Sequence, residues 1–209
     1  MATVLLLACG NPLRGDDGFG LHLAAAARAR FAPERLRVLA AQQWTPEMAA
    51  AIARARVVIF ADAAVAVPAG EVELMRLVPE AAARGAEFIL DAGALRGSHH
   101  MTPEHLLACA QAWYGRCPER AYLLVAGAVT LDCCEELSPR LREHALPFAL
   151  RMLDGLLSTA EPEEKRGQNR AHKAENSSAA PGGKSRYSSR HESKTEFTHH
   201  PCGAGRIVP

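Results

Sequence analysis

The chain has 209 residues, 24 Lys plus Arg against 23 Asp plus Glu, and a formal net charge of +1. So even a balance gives no global field for nucleic acid or an anionic membrane. No apolar run approaches the roughly 18–20 residues of a membrane span. The amino terminus lacks the basic region and small-residue cleavage site of a signal peptide. The six cysteines (Cys9, Cys109, Cys117, Cys133, Cys134 and Cys202) contain no C-x-x-C pair, and several lie in apolar segments. No structural zinc site or thioredoxin motif is indicated, and a reduced, cytoplasmic setting is expected.

In chain order, Val4 to Ala8 is an apolar run that reads as a buried parallel strand. The turn Gly10-Asn11-Pro12-Leu13-Arg14-Gly15-Asp16-Asp17-Gly18-Phe19-Gly20 follows, and then a helical run from Leu21 to Ala29. A second strand is predicted at Leu36 to Ala41. Thr45-Pro46-Glu47 is a helix start, with Thr as N-cap, Pro at the first position and an acid in the first turn; that helix is predicted to end near Arg54. Arg56 to Ala61 is a third strand, ending at Asp62. Pro68-Ala69-Gly70 marks a turn, and Glu71 to Leu77 alternates like a half-exposed edge strand. Between Pro79 and Gly97 a short helix and a strand at Phe88-Ile89-Leu90 are expected. Thr102-Pro103-Glu104 opens a helix through about Trp113, Tyr122 to Ala126 is a buried strand, and Ser138-Pro139 opens the last helix, to about Leu157. The alternation predicts an α/β fold of three layers, a mostly parallel twisted sheet of about five strands with helices on both faces.

Composition changes near residue 160. Every lysine (Lys165, Lys173, Lys184 and Lys194) lies beyond it, and the only bulky apolar side chains there are Tyr187, Phe197, Ile207 and Val208. Such a segment buries too little surface to offset its ordering entropy. Residues 1–159 are expected to form the domain and 160–209 a disordered tail, in which His199-His200-Pro201-Cys202 has no specific role.

The turn after the first strand has the glycines of a phosphate loop but the wrong charge. Phosphate loops aim backbone N–H groups at an anion; Asp16 and Asp17 repel an anion and attract a cation. One acid before a helix is accounted for by capping, worth about 1 kcal/mol, and two exceed what a cap needs. Asp62 ends the third predicted strand, and in open parallel sheets ligands bind outside the carboxyl ends of strands. If the first and third strands are neighbours, Asp16 or Asp17 and Asp62 converge; otherwise Asp62 is a turn or cap residue. Ser98-His99-His100 precedes a helix, as a surface loop or as a source of imidazole. Two carboxylates with an imidazole form a borderline-hard set suited to Zn, Ni or Mn, with positions open for water or substrate. His22, His105 and His144 fall in predicted helices. No G-x-S-x-G elbow is present, and the vicinal Cys133-Cys134, with no base nearby in sequence, reads as packing.

These motifs, in this order, resemble those of the hydrogenase maturation endopeptidases. The family pattern G-N-x-L-x-x-D-[DE]-x-x-G is matched from Gly10 to Gly20, its Q-x-x-P-E-like segment from Gln42 to Glu47, and its D-A strand end by Asp62-Ala63. The S-x-H segment before an L-L helix is matched by Gly97-Ser98-His99 and Leu106-Leu107, the strand ending in Gly by Leu123 to Gly127, and the L-S-P start by Leu137-Ser138-Pro139. The resemblance spans about residues 3–157; the stretch Ala81 to Arg96 is longer than the family pattern.

The resemblance implies an endopeptidase that removes the C-terminal peptide of a NiFe hydrogenase large-subunit precursor after nickel insertion. It implies Asp17, Asp62 and His99 as the residues that meet nickel, and these three with Asp16, the motif's other acid, as the residues that carry catalysis; His100 is the imidazole one residue along. Nickel is presented by the substrate, the free protein is metal-free, and the protein is a cytoplasmic monomer whose partner is the precursor. Two other readings stand beside it. One is a non-catalytic nickel-binding or chaperone-like module of the same fold. The other is a nucleotide-binding Rossmann-like protein, which lacks G-x-G-x-x-G and has acids where pyrophosphate would sit.

Overall fold

The computed structural model describes residues 4–79 and 101–160, all within the unit Met1–Gly167. Strand β1 (Val4–Cys9) is buried at all six positions, as a strand covered on both faces must be. The helix α1 (Phe19–Arg30) follows a 3-10 turn at Gly15–Gly18. Next come β2 (Leu36–Ala41), a 3-10 turn (Pro46–Met48) with the short α2 (Ala49–Ile52), then β3 (Val57–Ala64) and β4 (Val72–Leu77). After residue 100 come α3 (Pro103–Tyr114), β5 (Arg120–Gly127), a π-helical turn (Leu141–Ala145) and α4 (Leu146–Ala160).

The sheet order is β2-β1-β3-β5-β4, with β4 antiparallel to β5 and the other pairs parallel. Strand pleating sends alternate side chains to opposite faces. Val4, Leu6, Ala8, Ile59 and Ala61 pack with Phe19 and Leu23 of α1 and Leu153 of α4. Leu5, Leu7, Val58 and Phe60 pack with Ile52 of α2 and Leu106 and Leu107 of α3. These two cores make the three-layer α/β architecture that the alternation predicts. Among the described residues no helix is long and apolar enough to cross a membrane.

Several boundaries differ from expectation. β3 continues two residues past Asp62, because Ala63 and Ala64 keep pairing with Ala126 and Gly127 of β5. The helix from Thr45 to Arg54 is reduced to two short pieces. The Thr45 side chain caps no backbone N–H there, and the chain tightens through i→i+3 bonds from Arg54 to Ala51 and from Ala55 to Ile52. Cys133 and Cys134 are exposed rather than packed, since they lie in the loop after β5. The elements expected within residues 80–97 and the tail beyond residue 160 lie outside the described residues.

Candidate functional site

Two glycines let the first turn approach the sheet. Gly10 has φ 147, and a Cβ there would collide with the Asp17 carbonyl. A Cβ at Gly20 would run into the Cys9 carbonyl and stand 2.7 Å from that of Ala61. The start of α1 therefore rests directly on the carboxyl ends of β1 and β3, a closeness open only to glycine. The turn itself carries Asp16 and Asp17.

The two acids have different surroundings. Asp16 is fully buried. Its Oδ2 accepts N–H bonds from Val129 (2.9 Å) and Thr130 (3.1 Å), and its Oδ1 accepts one from Ser138 (2.7 Å). Further backbone bonds join Gly15 N–H to the Cys134 carbonyl (2.6 Å) and Cys134 N–H to the Leu13 carbonyl (3.2 Å). Asp16 thus locks the turn to the loop after β5, and its carboxylate has no surface to offer a substrate. Asp17 is only partly buried. The sequence marks the pair but not the division of labour, because the three donors to Asp16 lie more than 110 residues away.

Asp62 is placed by register. Ala8 pairs with Ala61, so Cys9 and Asp62, the next residues on two adjacent parallel strands, share one face of the sheet. That face is the one packed by α2 and α3, since Leu5, Leu7, Val58 and Phe60 belong to it. The Cys9 thiol hydrogen-bonds the Asp62 carboxylate, and Ala63 N–H donates to its Oδ1 at 2.8 Å. Burial pushes the Asp62 carboxyl up to about 6 against the hydrogen bonds from Ala63 and Cys9; the Asp17 charge adds to the rise. Burial, then the Asp62 and Asp17 charges, push the Cys9 thiol far above its ordinary value. Asp17 and Asp62 therefore meet electrostatically at the carboxyl edge of β1 and β3, and Cys9 stands beside them. Sequence reading did not single out Cys9 as part of the site; its one-residue offset from the turn, combined with the β1–β3 register, is the signal that finds it.

His99 and His100 lie outside the described residues. The chain re-enters at Met101, which packs on the same core as Leu7 and Phe60. Thr102 caps α3, accepting from His105 N–H at 3.3 Å. α3 leads into β5, which runs parallel to β3, so a crossover helix of this kind starts at the carboxyl end of the sheet. His22 lies in α1, His105 in α3 and His144 in the π-helical turn, all on helices as expected. Among the described residues no three His, Cys, Asp or Glu side chains form a metal-binding group. Asp17 and Asp62 alone supply fewer donors than a firmly held cation needs.

No known family profile matches the sequence, and no curated protein does either. Solved structures do match. The hydrogenase maturating endopeptidase HybD from E. coli superposes with a TM-score of 0.57 at 20% identity, covering 77% of this chain and 94% of that one. A hydrogenase 2 maturation peptidase from a Thaumarchaeota archaeon gives 0.55 at 24% identity, covering 74% and 97%. The endopeptidase HycI from Escherichia coli gives 0.52 at 20% identity, covering 73% and 90%. The resemblance read in the motifs extends to the architecture: this chain has the fold of the hydrogenase maturation endopeptidases.

Proposed function

We propose that the protein is an endopeptidase that removes the C-terminal peptide of a NiFe hydrogenase large-subunit precursor once nickel has been inserted. One observation carries the reading most directly. In a fold shared with solved maturation endopeptidases, Asp17 from the turn before α1 and Asp62 from β3 come to one edge of the sheet, close enough that the Asp17 charge bears on Asp62. Two acids at a strand edge suit a cation or a water nucleophile, and oppose a nucleotide's pyrophosphate.

In this reading nickel belongs to the substrate. Asp17 and Asp62, with His99 from the segment before α3, meet the nickel that the precursor already holds, so cleavage waits for a loaded substrate. A carboxylate made more basic by burial is also suited to take a proton from the attacking water. Asp16 holds the turn and touches no reacting atom. The free protein binds metal weakly, because two carboxylates and one imidazole leave an open site. We take it to act as a cytoplasmic monomer on one precursor chain, with residues 161–209 dispensable.

The test is processing of nickel-loaded and nickel-free precursor, read as the mass of the large subunit. Asp17→Ala, Asp62→Ala and His99→Ala are each expected to abolish cleavage of the loaded form. Normal cleavage in all three would remove the site assignment. Nickel-dependent binding of the precursor without cleavage by the wild-type protein would identify a non-catalytic module of the same fold.

A further inference from the structure

The loop after β5 carries two adjacent thiols that play no part in the site described above. Cys133 and Cys134 are both exposed, free cysteines. They sit in the middle of the segment that the Asp16 carboxylate grips at its two ends, through Val129 and Thr130 on one side and Ser138 on the other.

Cys134 is the middle anchor of that grip. Its N–H donates to the Leu13 carbonyl at 3.2 Å, and its carbonyl accepts from Gly15 N–H at 2.6 Å. These two bonds make a parallel bridge between Arg14 and Cys134. The turn lies so close to the loop there that a Cβ at Gly15 would stand 3.3 Å from the Thr130 carbonyl. Asp17 follows Gly15 by two residues, so the bridge helps to place the turn that presents it.

Such a bridge needs extended backbone, in which successive side chains point to opposite sides. The two thiols therefore diverge while the bridge is made. Cys134 Sγ is turned back on its own loop, accepting from Glu136 N–H at 3.4 Å. A bond between the two sulfurs imposes the opposite. Neighbouring Cα atoms across a trans peptide are about 3.8 Å apart, below the usual disulfide range of about 4.4–6.8 Å. Closing the ring must distort the peptide between the two cysteines, and that peptide contains the N–H that Leu13 accepts. Bridge and disulfide exclude each other. A disulfide strained in this way is also readily reduced, as regulatory ones are.

We propose that Cys133 and Cys134 are a thiol modification site, at which a low-molecular-weight organic disulfide generates a vicinal disulfide and releases the acid-bearing turn from the loop after β5. One cysteine thiolate attacks the oxidant's S–S bond, giving a mixed disulfide and one free thiol. The second cysteine then displaces the other half of the oxidant. One S–S bond breaks and one forms, and the two protons leave on the two released thiols. The cysteine pair is oxidised by two electrons and the oxidant reduced by two. With the bridge gone, the turn loses its middle anchor and Asp17 its fixed place beside Asp62, until a thiol reductant restores both. The consequence for activity rests on the endopeptidase reading; the release of the turn does not.

The test is incubation of the full-length protein with oxidised glutathione, followed by peptide mass mapping, amide hydrogen exchange and precursor processing. A loss of two hydrogens is expected in the peptide that holds residues 133 and 134, with no adduct retained. Exchange within residues 10–20 should accelerate by about tenfold or more, for the loss of two backbone hydrogen bonds. Processing should fall by about tenfold, and dithiothreitol should reverse all three changes. Cys133→Ser leaves both Cys134 backbone bonds in place and should show the slow exchange of the reduced protein with or without oxidant. Failure of the internal disulfide to form, unchanged exchange once it has formed, or equal acceleration in Cys133→Ser would overturn the proposal. If exchange responds as expected and reduced protein never processes precursor, the modification site stands and the endopeptidase reading falls. If reduced and oxidised protein process precursor equally, the endopeptidase reading stands and the proposal falls.

Discussion

At the scale of single residues, two adjacent acids do opposite work. Asp16 is buried with three backbone donors. Asp16→Ala leaves those N–H groups unpaired, which costs about 1–3 kcal/mol per group before relaxation. A loss of about 3 kcal/mol or more is expected in urea unfolding, accompanied by loss of activity through misfolding. Asp17→Asn should leave stability within about 0.5 kcal/mol and abolish processing. Equal stability losses in the two variants would refute the division. Asp62 gives a pH signature. Its carboxyl titrates near 6 in the folded protein against 3.8 for the ordinary group. Between those values the folded state holds the proton more tightly than the unfolded state does. Stability from this group is therefore fully present below about pH 4 and declines as pH rises through 6. Allowing for partial exposure, the decline is on the order of 2 kcal/mol. Asp62→Asn should raise the melting temperature at pH 7–8 and lose that advantage near pH 3.5, while cleavage disappears. A constant offset across the range would contradict the account.

At the scale of elements, the closeness of α1 to the sheet decides whether the acids meet. Gly20→Ala drives a methyl group against the carbonyls of Cys9 and Ala61. It is expected to destabilise by about 3 kcal/mol or more, as overpacking against backbone does. Melting within a degree of wild type would mean that the helix sits farther out. The same elements mark how much was legible beforehand. β1, β2 and β5 announce themselves as apolar runs, and the helix start at Thr102 is a working cap. The start at Thr45 looks the same in sequence but yields a four-residue helix, because helix length is set by the surface available to cover and not by the cap alone. Asp62 reads as a strand end from its own neighbours. That the strand runs on is decided by β5, whose partner residues lie 63 positions later in the chain, and no local pattern carries such information. Convergence of Asp17 with Asp62 was conditional on β1 and β3 being neighbours, which they are. Cys9 escaped notice because a thiol closing an apolar run looks like core until the register sets it opposite an acid.

At the scale of the whole molecule, the structure is a scaffold that presents one edge of a sheet. Two cores fix four parallel strands, and their carboxyl ends carry the acids and the start of α3. Deleting residues 161–209 retains Ala160, whose carbonyl accepts from the Arg56 guanidinium. Processing by the truncated protein is expected within about twofold of full length, as for removal of a segment whose composition supplies little apolar surface; a larger loss would assign the tail a part in recognition. The central claim is that the acids read a metal already held by a substrate protein and license its cleavage. The most direct measurement is the mass of the hydrogenase large subunit after incubation with this protein, with and without nickel in the precursor. The account predicts loss of a C-terminal fragment from the loaded precursor alone, and no loss with Asp17→Ala or Asp62→Ala. Cleavage of the nickel-free precursor at the same rate, or an unchanged mass with the loaded one, would contradict it.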